Sequence, residues 1–131
     1  MTVPAINEIT NLDDFTKILS NDQSISIIDC YTQWCQPCKQ IAPLFLELSK
    51  KYPSVSFNKM DIETDSTKNI TDSLEISSLP TFCFFSGGKY VNRIVGADMV
   101  GVEKMLESLI NQPQPQPQSQ SQPQLNPPTK P

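Results

Sequence analysis

Cys35 and Cys38 stand two residues apart in the run Trp34-Cys35-Gln36-Pro37-Cys38-Lys39. That spacing serves two chemistries, ligation of a soft metal or thiol–disulfide exchange. A zinc site needs about two further ligands, usually a second Cys pair or a Cys/His pair. The chain contains no histidine, and its other cysteines, Cys30 and Cys83, are isolated in apolar runs. Exchange chemistry is therefore favoured over metal binding, and Cys30 and Cys83 read as small buried hydrophobes. The missing histidine also removes a Cys-His nucleophile pair and the haem-attachment signal C-x-x-C-H.

Nucleophilic sulfur needs a position that stabilises the thiolate. The cysteine pair follows an isoleucine-rich run and opens a helical pattern of Ile41, Leu44, Phe45, Leu48 and Tyr52. This puts Cys35 at a helix N-terminus, where unpaired backbone N–H groups and the macrodipole lower a thiol pKa. Cys35 is thus expected to be exposed and to be the nucleophile. Cys38, one turn further on, can attack the mixed disulfide formed by Cys35, freeing the substrate and leaving a Cys35–Cys38 disulfide. Pro37 suits the first turn because it has no N–H to satisfy.

Strands are expected at residues 5–9, 24–31, 55–62, 81–85 and 90–95, and the last two flank Ser86-Gly87-Gly88-Lys89, a hairpin signal. Asn11 is placed to cap a helix running to about residue 20, and Asp65 or Ser66 to open one carrying Ile70 and Leu74. Asp98 is placed to cap a last helix with Val102, Met105, Leu106, Leu109 and Ile110 on its apolar face. Pro43 is expected to kink the second helix without ending it. The order β-α-β-α-β-α-β-β-α predicts an α/β domain with a mixed sheet covered by helices on both faces.

A chain of 131 residues holds one domain and an appendage. The boundary falls at residue 112, because thirteen of the nineteen residues from 113 to 131 are Pro or Gln and Leu125 is the only aliphatic one there. That tail is expected to stay disordered. A net charge of −4 without a long basic run argues against nucleic-acid binding. No run of 18 apolar residues exists to form a membrane helix. The opening MTVPAINEIT lacks a basic start followed by an apolar segment, which predicts no secretory leader and a reducing, cytoplasmic location.

Beyond W-C-x-P-C-K, the chain has Asp29 six residues before Cys35, Pro43 in the following helix, Leu79-Pro80-Thr81 before a strand and Val95-Gly96-Ala97 after the hairpin. With these residues it resembles the thioredoxin family over residues 3–111. The resemblance implies a central five-stranded mixed β-sheet flanked by four helices. It also implies a redox-active Cys35–Cys38 disulfide, with Asp29 as a buried carboxylate exchanging a proton with Cys38 and Lys59 modulating it. Pro80 would be a cis-proline facing the disulfide, and Trp34, Gln36, Pro37, Leu79, Pro80, Gly96 and Ala97 would contact the substrate. Gln36 stands where most members have Gly, and Tyr31 where Trp is common. The implied activity is protein-disulfide reduction by a monomer with no bound cofactor, its electrons coming from NADPH through thioredoxin reductase and its partners being that reductase and disulfide-containing proteins. A disulfide oxidase or isomerase, and a binding module tethered by the Pro-rich tail, stay open as alternatives.

Overall fold

Five strands form one mixed sheet in the order β1-β3-β2-β4-β5 in a computed structural model that describes residues 6–20 and 24–112. Strand β1 (Ile6–Ile9) and strand β2 (Ile25–Tyr31) both run parallel to β3 (Val55–Asp61). The hairpin β4 (Thr81–Ser86) and β5 (Lys89–Val95) joins through an antiparallel β2–β4 pairing. The expected first residue of β1, residue 5, and the tail at 113–131 lie outside the described residues.

Helices α1 (Leu12–Leu19), α2 (Gln36–Lys51), α3 (Lys68–Leu74) and α4 (Met99–Asn111) complete the predicted order. Asn11 accepts the Asp14 N–H at 2.9 Å and Asp98 accepts the Gly101 N–H at 2.9 Å, so both expected caps satisfy a helix donor that would otherwise lack a partner. Helix α2 continues through Pro43. The segment opening at Asp65 is a 3-10 turn (Asp65–Thr67) that leads into α3. In the hairpin, Gly87 and Gly88 have φ of 61° and 80°, as a two-residue primed turn demands. A Cβ on Gly88 would also meet the Leu19 carbonyl oxygen at 2.5 Å, so the turn packs against the end of α1.

Alternation along each strand divides the core into two layers. On one face Ile27, Phe57, Phe82 and Phe84 meet Ile41, Phe45 and Leu48 of α2 and Val102, Leu106 and Leu109 of α4. Phe45 stands edge-on to Phe57 with ring centroids 5.3 Å apart. On the other face Ile9, Ile28, Cys30, Met60, Cys83 and Phe85 pack under Ile70 and Leu74 of α3 and Phe15, Ile18 and Leu19 of α1. Two helical positions expected in the core are corrected. Leu44 and Ile110 are exposed, because each sits at the margin of its apolar stripe and turns past the sheet contact made by its neighbours.

The layering fixes what lies beneath α2. Ile27 and Asp29 have one residue between them and so share a face, which places a carboxyl in the layer that α2 covers.

Candidate active site

Cys35 is the N-cap of α2: its backbone is extended, and its Sγ accepts the Cys38 N–H at 3.2 Å. Its own N–H donates to the Thr32 carbonyl at 3.3 Å, so the chain turns sharply from the end of β2 into the helix. No acidic side chain occupies the first turn of α2. A thiolate formed at Cys35 would therefore meet a backbone donor and the positive end of the dipole without a competing anion. Cys35 and Cys38 are joined by a disulfide with Cα atoms 5.3 Å apart, while Cys30 and Cys83 are free and fully buried.

One expectation is corrected here. Cys35 is 4% exposed and Cys38 5%, so accessibility does not separate them. The Cys35 sulfur lies against the first turn of α2, bonded to the Cys38 sulfur and accepting the Cys38 N–H. The difference between the two sulfurs is one of position, cap against first turn.

Asp29 is 6% exposed, and its Oδ1 has no hydrogen-bond partner among the described residues. Burial raises its pKa from 3.8 to about 7; Lys59 opposes the rise and Glu8 adds to it. Asp29, Cys38, Tyr31, Thr32, Gln33, Lys39, Ala42 and Lys59 line a cavity of about 140 Å³. Asp29 and Cys38 thus border one space, large enough for a water molecule to stand between them. Lys59 forms its ion pair with Glu8, at 3.6 Å.

Around the disulfide, Trp34 is 64% exposed, and its indole N–H donates to Glu63 at 2.9 Å, which fixes the ring at the surface. Gln36, Pro37 and Ala97 are exposed, and Leu79 and Gly96 half-buried. The peptide bond between Leu79 and Pro80 is cis. Pro80 accepts the Gly96 N–H at 2.8 Å through its carbonyl, which ties the turn before β4 to the turn after β5. Gly96 has φ of 100°, a conformation L side chains rarely adopt. The predicted apolar contact surface needs one correction. Pro80 is buried, so the open surface is made by Trp34, Pro37, Ala97 and the accessible side of Leu79.

Glu8, Tyr31, Thr32 and Glu63 belong to the surroundings of the site and were not singled out from the sequence as its residues. The Tyr31 hydroxyl donates to Glu8 at 3.0 Å, and burial and this bond push its pKa up. Thr32 Oγ1 is buried without a partner among the described residues. Only the pairing of β1 with β3 brings Glu8 here, and no local pattern encodes that pairing. Among the described residues no three His, Cys, Asp or Glu side chains gather as metal ligands.

Comparison with known proteins agrees with this geometry. The profile of the family described as Thioredoxin matches residues 6–111. A thioredoxin-like protein of Acanthamoeba polyphaga mimivirus is 48% identical over 103 residues, which span 78% of this chain and 75% of that one. The crystal structure of a poplar thioredoxin h superposes with a TM-score of 0.76 at 33% identity, covering 83% of this chain and 99% of that one. A chain in the solved complex of ferredoxin:thioredoxin reductase with thioredoxin f2 matches with a TM-score of 0.73 at 34% identity, covering 79% and 93%.

Proposed function

The chain belongs to the thioredoxin family, and from that premise we propose that it reduces disulfides in protein substrates and is recharged by an NADPH-dependent thioredoxin reductase. Its reaction is thiol–disulfide exchange, which uses the two sulfurs and needs no bound cofactor. The observation that carries the proposal is the Cys35–Cys38 disulfide at the N-terminus of α2, with buried Asp29 sharing a cavity with Cys38.

In the proposed cycle, the Cys35 thiolate attacks one sulfur of a substrate disulfide, forming a mixed disulfide and expelling the other substrate sulfur as a thiolate. The Cys38 thiol then passes its proton to the Asp29 carboxylate and attacks the Cys35 sulfur. The second substrate sulfur leaves as a thiolate, Asp29 releases its proton, the two substrate thiolates take up that proton and one from water, and the Cys35–Cys38 disulfide remains. Two electrons have moved from the protein to the substrate, and the reductase returns two. Asp29 suits the proton step because its pKa of about 7 lets it hold and release a proton near neutrality. Lys59 moderates Asp29 electrostatically.

Substrate docks, in this reading, on Trp34, Gln36, Pro37, Leu79, Gly96 and Ala97, with Pro80 fixing the turn beneath them. A reductase partner is supported by the matching thioredoxin f2, which is found in complex with a ferredoxin:thioredoxin reductase. Two free, buried thiols, Cys30 and Cys83, support a reducing, cytoplasmic location. The protein acts as a monomer whose domain ends at about residue 112. The test is NADPH oxidation in the presence of a thioredoxin reductase, this protein and a disulfide-containing protein substrate. Catalytic turnover that is lost in Cys35→Ser supports the proposal; no turnover with the intact protein overturns it.

A further inference from the structure

Pairing across the sheet sets three charged residues in one row. Glu8 on β1 pairs with Lys59 on β3, and Lys59 pairs with Asp29 on β2. Neighbouring strands lie about 5 Å apart, so Glu8 stands roughly 10 Å from Asp29 with Lys59 between them. Ile6, Phe57 and Ile27, two residues before each member of the row, all belong to the core layer under α2, so the row faces that layer too.

Lys59 therefore has an anion on either side, and it takes the outer one. Its ammonium lies 3.6 Å from Glu8 and 5.7 Å from the centre of the Tyr31 ring, while the Tyr31 hydroxyl donates to the same carboxylate at 3.0 Å. Asp29 Oδ1 is left without a partner. We propose that Glu8 is a positioning residue for proton transfer at Asp29, holding the Lys59 ammonium, with Tyr31, on the outer side of the row and away from the buried carboxyl. This inference rests on the reading that Asp29 handles the Cys38 proton.

The arrangement matters because an ammonium drawn against Asp29 would stabilise its carboxylate, and a strongly stabilised carboxylate is a poor acceptor for a thiol proton. Of the charged groups around Asp29, Lys59 and Glu8 are the two that act on its ionisation. Helix α2 contributes Cys38 and Lys39 to the shared cavity, Tyr31 belongs to β2 itself, and β4 places uncharged Phe82 opposite. Losing the Glu8 charge acts on Asp29 in two ways of the same sign: it removes a nearby anion, and it frees Lys59 to approach. Both lower the pH at which Asp29 ionises. The second requires Lys59, which makes the two separable.

The experiment is a titration of the Asp29 carboxyl carbon by NMR in oxidised full-length protein, where neither active-site sulfur ionises. Wild type and Glu8→Gln are compared, each with Lys59 and with Lys59→Met, and Glu8→Asp serves as the conservative variant. Glu8→Gln is expected to lower the Asp29 midpoint by about half a pH unit or more when Lys59 is present. In the Lys59→Met background the same change should produce less than half that effect. Glu8→Asp should restore most of the wild-type midpoint. An unmoved midpoint in Glu8→Gln, or an equal fall with and without Lys59, overturns the proposal. Single-turnover measurement of the resolving step against pH separates the premise from the inference. If the midpoint moves as expected and the rate profile does not follow it, the proton-transfer role of Asp29 fails while the hold of Glu8 on Lys59 stands.

Discussion

Replacing Asp29 with Asn should make the protein more stable by an amount that depends on pH. The Asp29 carboxyl ionises at about 7 in the fold, against 3.8 for an ordinary aspartate, because burial disfavours its charge. Above about pH 4 the unfolded chain gives up this proton while the folded chain keeps it, so the unfolded state binds fewer protons and stability falls as pH rises. The fall ends near pH 7, where the folded state also loses the proton. At about 1.4 kcal/mol per pH unit, this window costs the wild type on the order of 4 kcal/mol. Asn does not titrate, and the other ionisable groups are common to both proteins, so the difference between them isolates residue 29. Urea unfolding of the two oxidised proteins at matched ionic strength should show near-equal stability at about pH 4. At about pH 8 the variant should lead by up to about 4 kcal/mol, with unchanged m-values. A difference that stays constant across this range would refute the placement of Asp29 as a buried carboxyl ionising near neutrality. The same variant should resolve mixed disulfides more slowly, a stability gain at the expense of the reaction.

Brief iodoacetamide treatment of the reduced protein, followed by peptide mapping, should label Cys35 first: it caps α2, whereas Cys30 and Cys83 are fully buried and the Cys30 thiol is pushed up by its hydrogen bond to Cys83 and by burial. Asp98→Ala should cost about 1 kcal/mol in denaturant unfolding, because the Gly101 N–H loses its acceptor. Removing residues 113–131 should leave the reduction rate and the thermal midpoint unchanged, since thirteen of those nineteen residues are Pro or Gln and Leu125 is the only aliphatic one. A drop of several degrees in that midpoint would show that the tail packs on the domain.

Local patterns made most of the architecture legible. Asn11 and Asp98 declared their caps through side chains that bond the nearby backbone, and Gly87-Gly88 declared its hairpin because two successive positive φ angles suit glycine. Cys35 and Cys38 were readable as a reactive pair from their place at a strand-to-helix junction. Leu44 and Ile110 were misplaced because helical periodicity gives the direction of an apolar stripe and not the width that a neighbouring sheet covers. The bonding of Glu8 was illegible for a different reason. Glu8 meets Lys59 and Tyr31 only through a non-local parallel pairing, and such pairings leave no trace in either segment alone.

The division of labour between Cys35 and Cys38 is most directly tested by trapping. Cys38→Ser protein, reduced and mixed with a disulfide-containing protein substrate, retains the first exchange and lacks the second. It should accumulate a covalent adduct that a dithiol reductant dissolves and that peptide mapping locates at Cys35, while Cys35→Ser protein forms none. An adduct carried by Cys38 in the Cys35→Ser protein, or no adduct when Cys35 is intact, would contradict the assignment.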